Sequence, residues 1–239
     1  MANPIISRTE LKVGTVPMSV DGVVHKSAFL LALASVAGFG TFFYALMGGI
    51  SPSMLYPIAL VALFVGMGLG LVSAFKPHLA KTVAVPYALV EGVLIGAFSV
   101  IMYRIYPSVP LSALAATFIT AAVMLSLYVT GVIKVTEKFR SIIMSAVIAI
   151  GILYLVQLGF HFFGSSLPLL FDGGLIAIGF SVFVTLIASF SLLLDFDNID
   201  KGVHYGIARE YEWVFSIGIL STLVWMYIEF LRLIGYLQD

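Results

Sequence analysis

The sequence predicts an all-α integral membrane protein, a seven-transmembrane-helix bundle. Three observations carry that reading. The 239 residues are 61% hydrophobic with a mean hydropathy of +1.13. Only 10% are charged, where a soluble domain carries about 25%. Seven separate stretches each offer the roughly 20 apolar residues that a bilayer crossing needs.

Taken in order, residues 1–26 are polar, interrupted by Arg8, Glu10, Lys12 and Asp21. They contain no apolar core ahead of a small-residue cleavage site, so they read as a cytoplasmic tail and not as a signal peptide. Residues 27–239 form a single transmembrane domain. Its spans run near 27–48, 55–75, 83–103, 111–132, 141–163, 173–194 and 213–236. Turn residues punctuate them: Gly48-Gly49 with Ser51-Pro52, Lys76-Pro77-His78, Tyr106-Pro107 with Pro110, Lys134 to Arg140, and Gly164 to Pro168. The longest connection, 195–212, separates spans six and seven.

Basic residues alternate with the loops. Arg8, Lys12, Lys26, Lys76, Lys81, Lys134, Lys138, Arg140, Lys201 and Arg209 fall on one side, leaving only Arg104 and Arg232 on the other. The positive-inside rule puts the basic side in the cytoplasm. The amino terminus is then cytoplasmic and the carboxyl terminus outside. A formal net charge of zero predicts no nucleic-acid partner. The absence of cysteine excludes disulfides, thiolate metal sites and cysteine nucleophiles.

Acids inside so apolar a chain are the candidate functional groups, because an ionisable side chain at membrane depth needs a partner, a proton or water. Glu91 sits eight or nine residues into span three, beside Gly92 and Gly96, a small-residue face that allows close helix approach. The plainer role for Glu91 is a protonated acid bonded to a neighbouring carbonyl or hydroxyl. Asp195 and Asp197 follow more than twenty uncharged residues, at the expected inner end of span six. Two positions apart on a helix, they diverge by about 200° and cannot face one partner. A helix C-terminus also disfavours anions, which argues against a purely structural span end. Glu229 and Arg232 are spaced to pair on one face of span seven. Their plainer role is a pair snorkelling to the outer interface beside Trp225 and Tyr227. Glu210 and Glu212 mark the inner start of span seven, where acids suit the macrodipole.

Other groups point nowhere specific. His25, His78, His161 and His204 have no metal-ligand companion at useful spacing, and Asp172 reads as the cap of span six. Span seven has no lysine to anchor a retinal. No serine nucleophile with a placed histidine base is present, and no phosphate loop. A paired-acid protease would need two acids at one depth, and the predicted spans place Asp195 and Glu91 at different depths. No enzymatic activity and no bound cofactor are expected.

The run Leu193-Leu194-Asp195-Phe196-Asp197-Asn198-Ile199, followed by Tyr227-Ile228-Glu229-Phe230-Leu231-Arg232-Leu233, resembles the Bax inhibitor-1 (transmembrane Bax inhibitor motif) family, and its bacterial membrane branch most closely. Lys81 to Pro86 leading into Tyr87-Ala-Leu-Val-Glu91-Gly92, and Gly131 to Arg140, add to the resemblance. It implies a bundle around a central seventh helix in a bacterial plasma membrane, and a pH-sensitive calcium leak. It further implies that an acid of the sixth helix, Asp195 or Asp197, hydrogen-bonds an acid of the seventh, matched by motif to Glu229. The proton-dependent pair would control opening, with Ca²⁺ as permeant ion held transiently at Asp195 or Asp197. By depth, however, the stretch of span seven facing Asp195 is Ser216 to Thr222, which has no carboxylate. The expected partners are the lipid bilayer, Ca²⁺ and protons. The alternative function is a non-transporting regulator that binds other membrane proteins or proteases. A proton-coupled exchanger is a third reading.

Overall fold

The computed structural model describes residues 16–162 and 174–238. The Asp172 cap, the His161 side chain and the first part of the tail fall outside them. Among the described residues seven helices follow in order: α1 (Val20–Leu46), α2 (Pro52–Phe75), α3 (Ala80–Ile105), α4 (Val109–Val129), α5 (Glu137–Phe162), α6 (Gly174–His204) and α7 (Tyr211–Tyr236). A 3₁₀ turn, Pro77–Leu79, leads into α3. Among the described residues the remaining regular pairing is one antiparallel bridge between Pro17 and Ala208. All seven helices are long and apolar enough to cross a membrane. The chain is an integral membrane protein.

Two helices outrun their apolar windows by about two turns or more. α1 begins at Val20 because Ser19 caps it, its hydroxyl accepting from the Gly22 amide at 3.0 Å. Asp21 then lies in the first turn, the favourable end for an anion. α6 continues ten residues past Leu194, through all three aspartates, to His204. Charge ends an apolar window but need not end a helix. Here Lys201 and His204 occupy the last turn, where cations suit the dipole. The long connection expected at 195–212 is therefore only Tyr205–Glu210, turning at Gly206 with φ +63°.

α7 is the hub. It packs against α1, α3, α4 and α6, and more lightly against α2. Leu220 and Val224 join the α1–α2–α3 core, Met226 meets Ala188 and Leu192 of α6, and Tyr227 and Leu231 meet Val109 and Ala113 of α4. The Gly92–Gly96 face of α3 lies against α1. A Cβ at Gly96 would stand 2.6 Å from the Gly38 carbonyl oxygen, and one at Gly92 would overlap the Ala34 carbonyl. This seam fixes α3, and hence Glu91, relative to the bundle.

Candidate functional site

Helix lengths set the depth of each acid. Because α6 runs to His204, Asp195 lies about nine residues, or about 14 Å, above that end. Glu91 lies about eleven residues into α3, and Thr222 about eleven into α7, each about 16 Å from the same side of the bundle. The different depths expected for Asp195 and Glu91 are thus corrected: both acids lie at mid-height, on helices that flank α7.

Asp195 turns toward α7, where the Thr222 hydroxyl donates to its Oδ2 at 2.7 Å. Glu91 is 8% exposed and packs toward α2. A Cβ at Gly66 would come within 2.7 Å of its Oε1, so the glycine leaves room for the carboxylate in this position. The Tyr87 hydroxyl, one turn earlier on α3, interacts with Glu91 and with Ser221 of α7. Buried Glu91 and half-buried Asp195 are therefore each served by a hydroxyl, and the two hydroxyl contacts meet α7 at adjacent residues.

Asp197 faces the other way. Arg140 of α5 donates to its Oδ2, Lys201 pairs with the same oxygen at 2.8 Å, and Arg140 also donates to Asn198 Oδ1 at 2.7 Å. Asp200 accepts from the Tyr128 hydroxyl of α4 at 2.5 Å. These groups tie α4, α5 and α6 together at the end of the bundle that carries Lys134, Arg140 and Arg209, here called the basic end.

Glu229 is not brought to Asp195. Thr222 occupies that place, and Glu229 lies seven residues further along α7, about 10 Å away in height. Its carboxylate accepts from Tyr154 of α5 at 2.5 Å, from Trp225 Nε1 at 3.2 Å and from Arg232 at 2.5 Å. Glu229 is 2% exposed, and the Arg232 guanidinium lies over the Tyr154 and Phe180 rings. Glu229 is buried and Arg232 half-buried between α5, α6 and α7, so the pair does not snorkel. Tyr227 likewise is no interfacial belt residue: it is buried and shares a 2.7 Å hydrogen bond with Ser99 of α3.

At the basic end a further acid does more than start a helix. Glu212 is 1% exposed. It accepts from the Ser19 amide at 2.9 Å and hydroxyl at 3.3 Å, and it is paired with Lys26 of α1. Ser216 adds a hydrogen bond to the Val23 carbonyl at 3.1 Å. Met18 and Arg209 amides donate to Ile207 and Val16, so the stretch before α1 is laced to the α6–α7 connection. A Cβ at Gly22 would overlap the Glu212 carboxylate. Gly22→Ala is therefore expected to lower the detergent melting temperature, even though alanine favours a helix by up to about 1 kcal/mol. The carboxylate has three holders and cannot yield freely, so overpacking of about 1–3 kcal/mol wins. An unchanged or higher melting temperature would show that the Glu212 contacts contribute little.

Among the described residues no group of three or more His, Asp or Glu is gathered to hold a metal ion. Asp195 and Thr222 offer two oxygen-bearing side chains, well short of the six to eight oxygens that Ca²⁺ takes. A cation at this level would keep most of its water.

The sequence matches the family model for Bax inhibitor 1 like proteins over residues 3–239. The chain belongs to the Bax inhibitor 1 like family. No curated protein matches it. For this Bax inhibitor 1 like protein the central seventh helix implied by the motifs is present, whereas the acid pair between helices six and seven is replaced by Asp195 and Thr222. Thr222 lies at the edge of the stretch that depth selected. Tyr154 and the Lys26–Glu212 pair carry no sequence signal, since each meets its partner through packing of distant segments, whereas Tyr87 stands one helical turn before Glu91 and only its Ser221 contact needed the fold.

Proposed function

We propose that this Bax inhibitor 1 like protein is a pH-sensitive calcium-permeable leak of a bacterial plasma membrane, without enzymatic chemistry. Its amino terminus lies in the cytoplasm, on the basic end, and its carboxyl terminus outside. The single observation that carries this reading is Asp195, an acid at mid-height between α6 and the central helix, held by one hydroxyl.

The mechanism follows from solvation. A protonated Asp195 sits without great cost in the half-buried seam between α6 and α7, satisfied by Thr222. An ionised Asp195 has one hydroxyl donor and, at longer range, the Arg140 guanidinium that is already paired with Asp197, so it is under-solvated, and a charge in low dielectric is far more expensive than a neutral acid. Ionisation therefore draws water and a cation between α6 and α7, and flux rises with pH. Glu91, at the same height on α3, is the second acid of the gate. Asp197 and Glu229 are occupied by Arg140 and Lys201 and by Arg232. They serve as cation-held anchors on either side of the gate, and the transient Ca²⁺ ligand is Asp195.

The test is calcium flux into proteoliposomes of purified protein across pH, for wild type and for amide variants of Asp195, Asp197, Glu91 and Glu229. The expected result is a wild-type flux that climbs with pH and flattens in the Asp195 and Glu91 variants. No wild-type flux at any pH, together with stable capture of membrane-protein partners, would replace this reading with that of a non-transporting regulator.

A further inference from the structure

Within α7 only one residue, Ser221, is exposed. It lies at the middle of the helix, beside Thr222. One turn earlier on the same face, a Cβ added at Gly218 would meet nothing within 4 Å. The central helix, otherwise without an exposed residue, thus has an opening at mid-height, one turn or more long, with a glycine and a serine as its floor. Its α3 side carries Tyr87, whose hydroxyl interacts with both Ser221 and Glu91. Thr222, the neighbour of Ser221, holds Asp195 on the α6 side.

We infer that this Gly218–Ser221 opening is a water-filled groove through which a hydrated cation reaches the gate, with Ser221 as its first protein contact. The inference rests on the leak reading for the cation and on geometry for the water. Lipid chains could cover an opening at this height, but its polar surroundings favour water. Ser221 and Tyr87 present hydroxyls, and Glu91 and Asp195 lie one side chain behind them. A hydrocarbon filling would leave those groups with fewer partners than they can use. The missing side chain at Gly218 supplies the width, since any larger residue would project into the groove.

The chain has no cysteine, so a single reporter can be introduced without background. Ser221→Cys is reconstituted in liposomes and treated with a cationic methanethiosulfonate. Ile148→Cys is the control, on the outer face of α5 at a similar height and 59% exposed. Ser221→Cys is expected to react at least about tenfold faster, because the reactive thiolate needs water. Modification is then expected to suppress calcium flux. Gly218→Cys is a second reporter with the same expected outcome should Ser221→Cys fail to fold. Equal, slow modification of the groove reporters and Ile148→Cys would overturn the groove. Fast modification that leaves an active flux untouched would overturn its part in conduction. If the unmodified protein conducts no calcium, the leak reading fails by itself, while the labelling ratio still decides whether water fills the groove.

Discussion

Asp195→Asn is expected to give a calcium flux that is low at every pH, measured in proteoliposomes against wild type. Asparagine keeps the shape and can still accept from Thr222, but it never ionises. If ionisation of Asp195 is what draws water and cation between α6 and α7, the neutral side chain removes that drive. Asp197→Asn is expected to behave differently. Asp197 points to Arg140 and Lys201 and away from α7, so its loss weakens the α5–α6 contact and leaves the pH response in place. Thr222→Val gives a finer test. A hydrogen bond to a charged group contributes about 1.5–3 kcal/mol, so its removal reduces the ionised form at a given pH by roughly ten- to a hundredfold. The flux of Thr222→Val is therefore expected to rise only at higher pH than wild type. Wild-type flux and pH response in Asp195→Asn would end the assignment. A Thr222→Val profile shifted to lower pH would show that the hydroxyl serves the protonated state instead.

Glu229→Ala is expected to be the most destabilising of the acid substitutions. The carboxylate accepts from Tyr154, Trp225 and Arg232 in a nearly fully buried site. Removing one partner of a buried ion pair costs about 3–5 kcal/mol, because the remaining charge loses its compensation. Arg232 would keep its contacts with the Tyr154 and Phe180 rings, which offset only part of that loss. The check is thermal unfolding in detergent, with Glu229→Gln beside it. Glutamine can still accept hydrogen bonds, so it should fall between alanine and wild type. The double variant Glu229→Gln with Arg232→Met removes both charges, and it is expected to recover much of the stability lost by Glu229→Gln. If Glu229→Gln flattened the pH response of flux without a loss of stability, Glu229 would be a gating acid and not an anchor.

The seven spans are legible in the sequence because the membrane requirement is local. A helix that crosses a bilayer needs about 20 apolar residues in a row, and nothing elsewhere in the chain changes that count. The small-residue face of α3 is legible for a similar reason: Gly92 and Gly96 recur every four residues, and close approach needs that spacing. The divergence of Asp195 and Asp197 follows from helix geometry alone, and they do face different helices.

Helix ends were less legible. Apolar windows stop at the first charge, so α6 looked ten residues too short and its aspartates looked like a helix end. Asp197 and Asp200 are tolerated within the helix because Arg140 and Tyr128 reach them from α5 and α4. That error propagated into depth, and it separated Asp195 from Glu91 where the fold sets them level.

The sequence by itself determined an integral membrane bundle of seven helices and the set of acids worth testing, because hydropathy and helical spacing act within a few turns. Only the tertiary structure decided what each acid touches. Glu212 meets Ser19 across 193 positions, and Glu229 meets Tyr154 across 75. Such pairings depend on which helices become neighbours and at what height. Packing around α7 fixed both, and in doing so gave Asp195 a threonine where the motif had implied an acid.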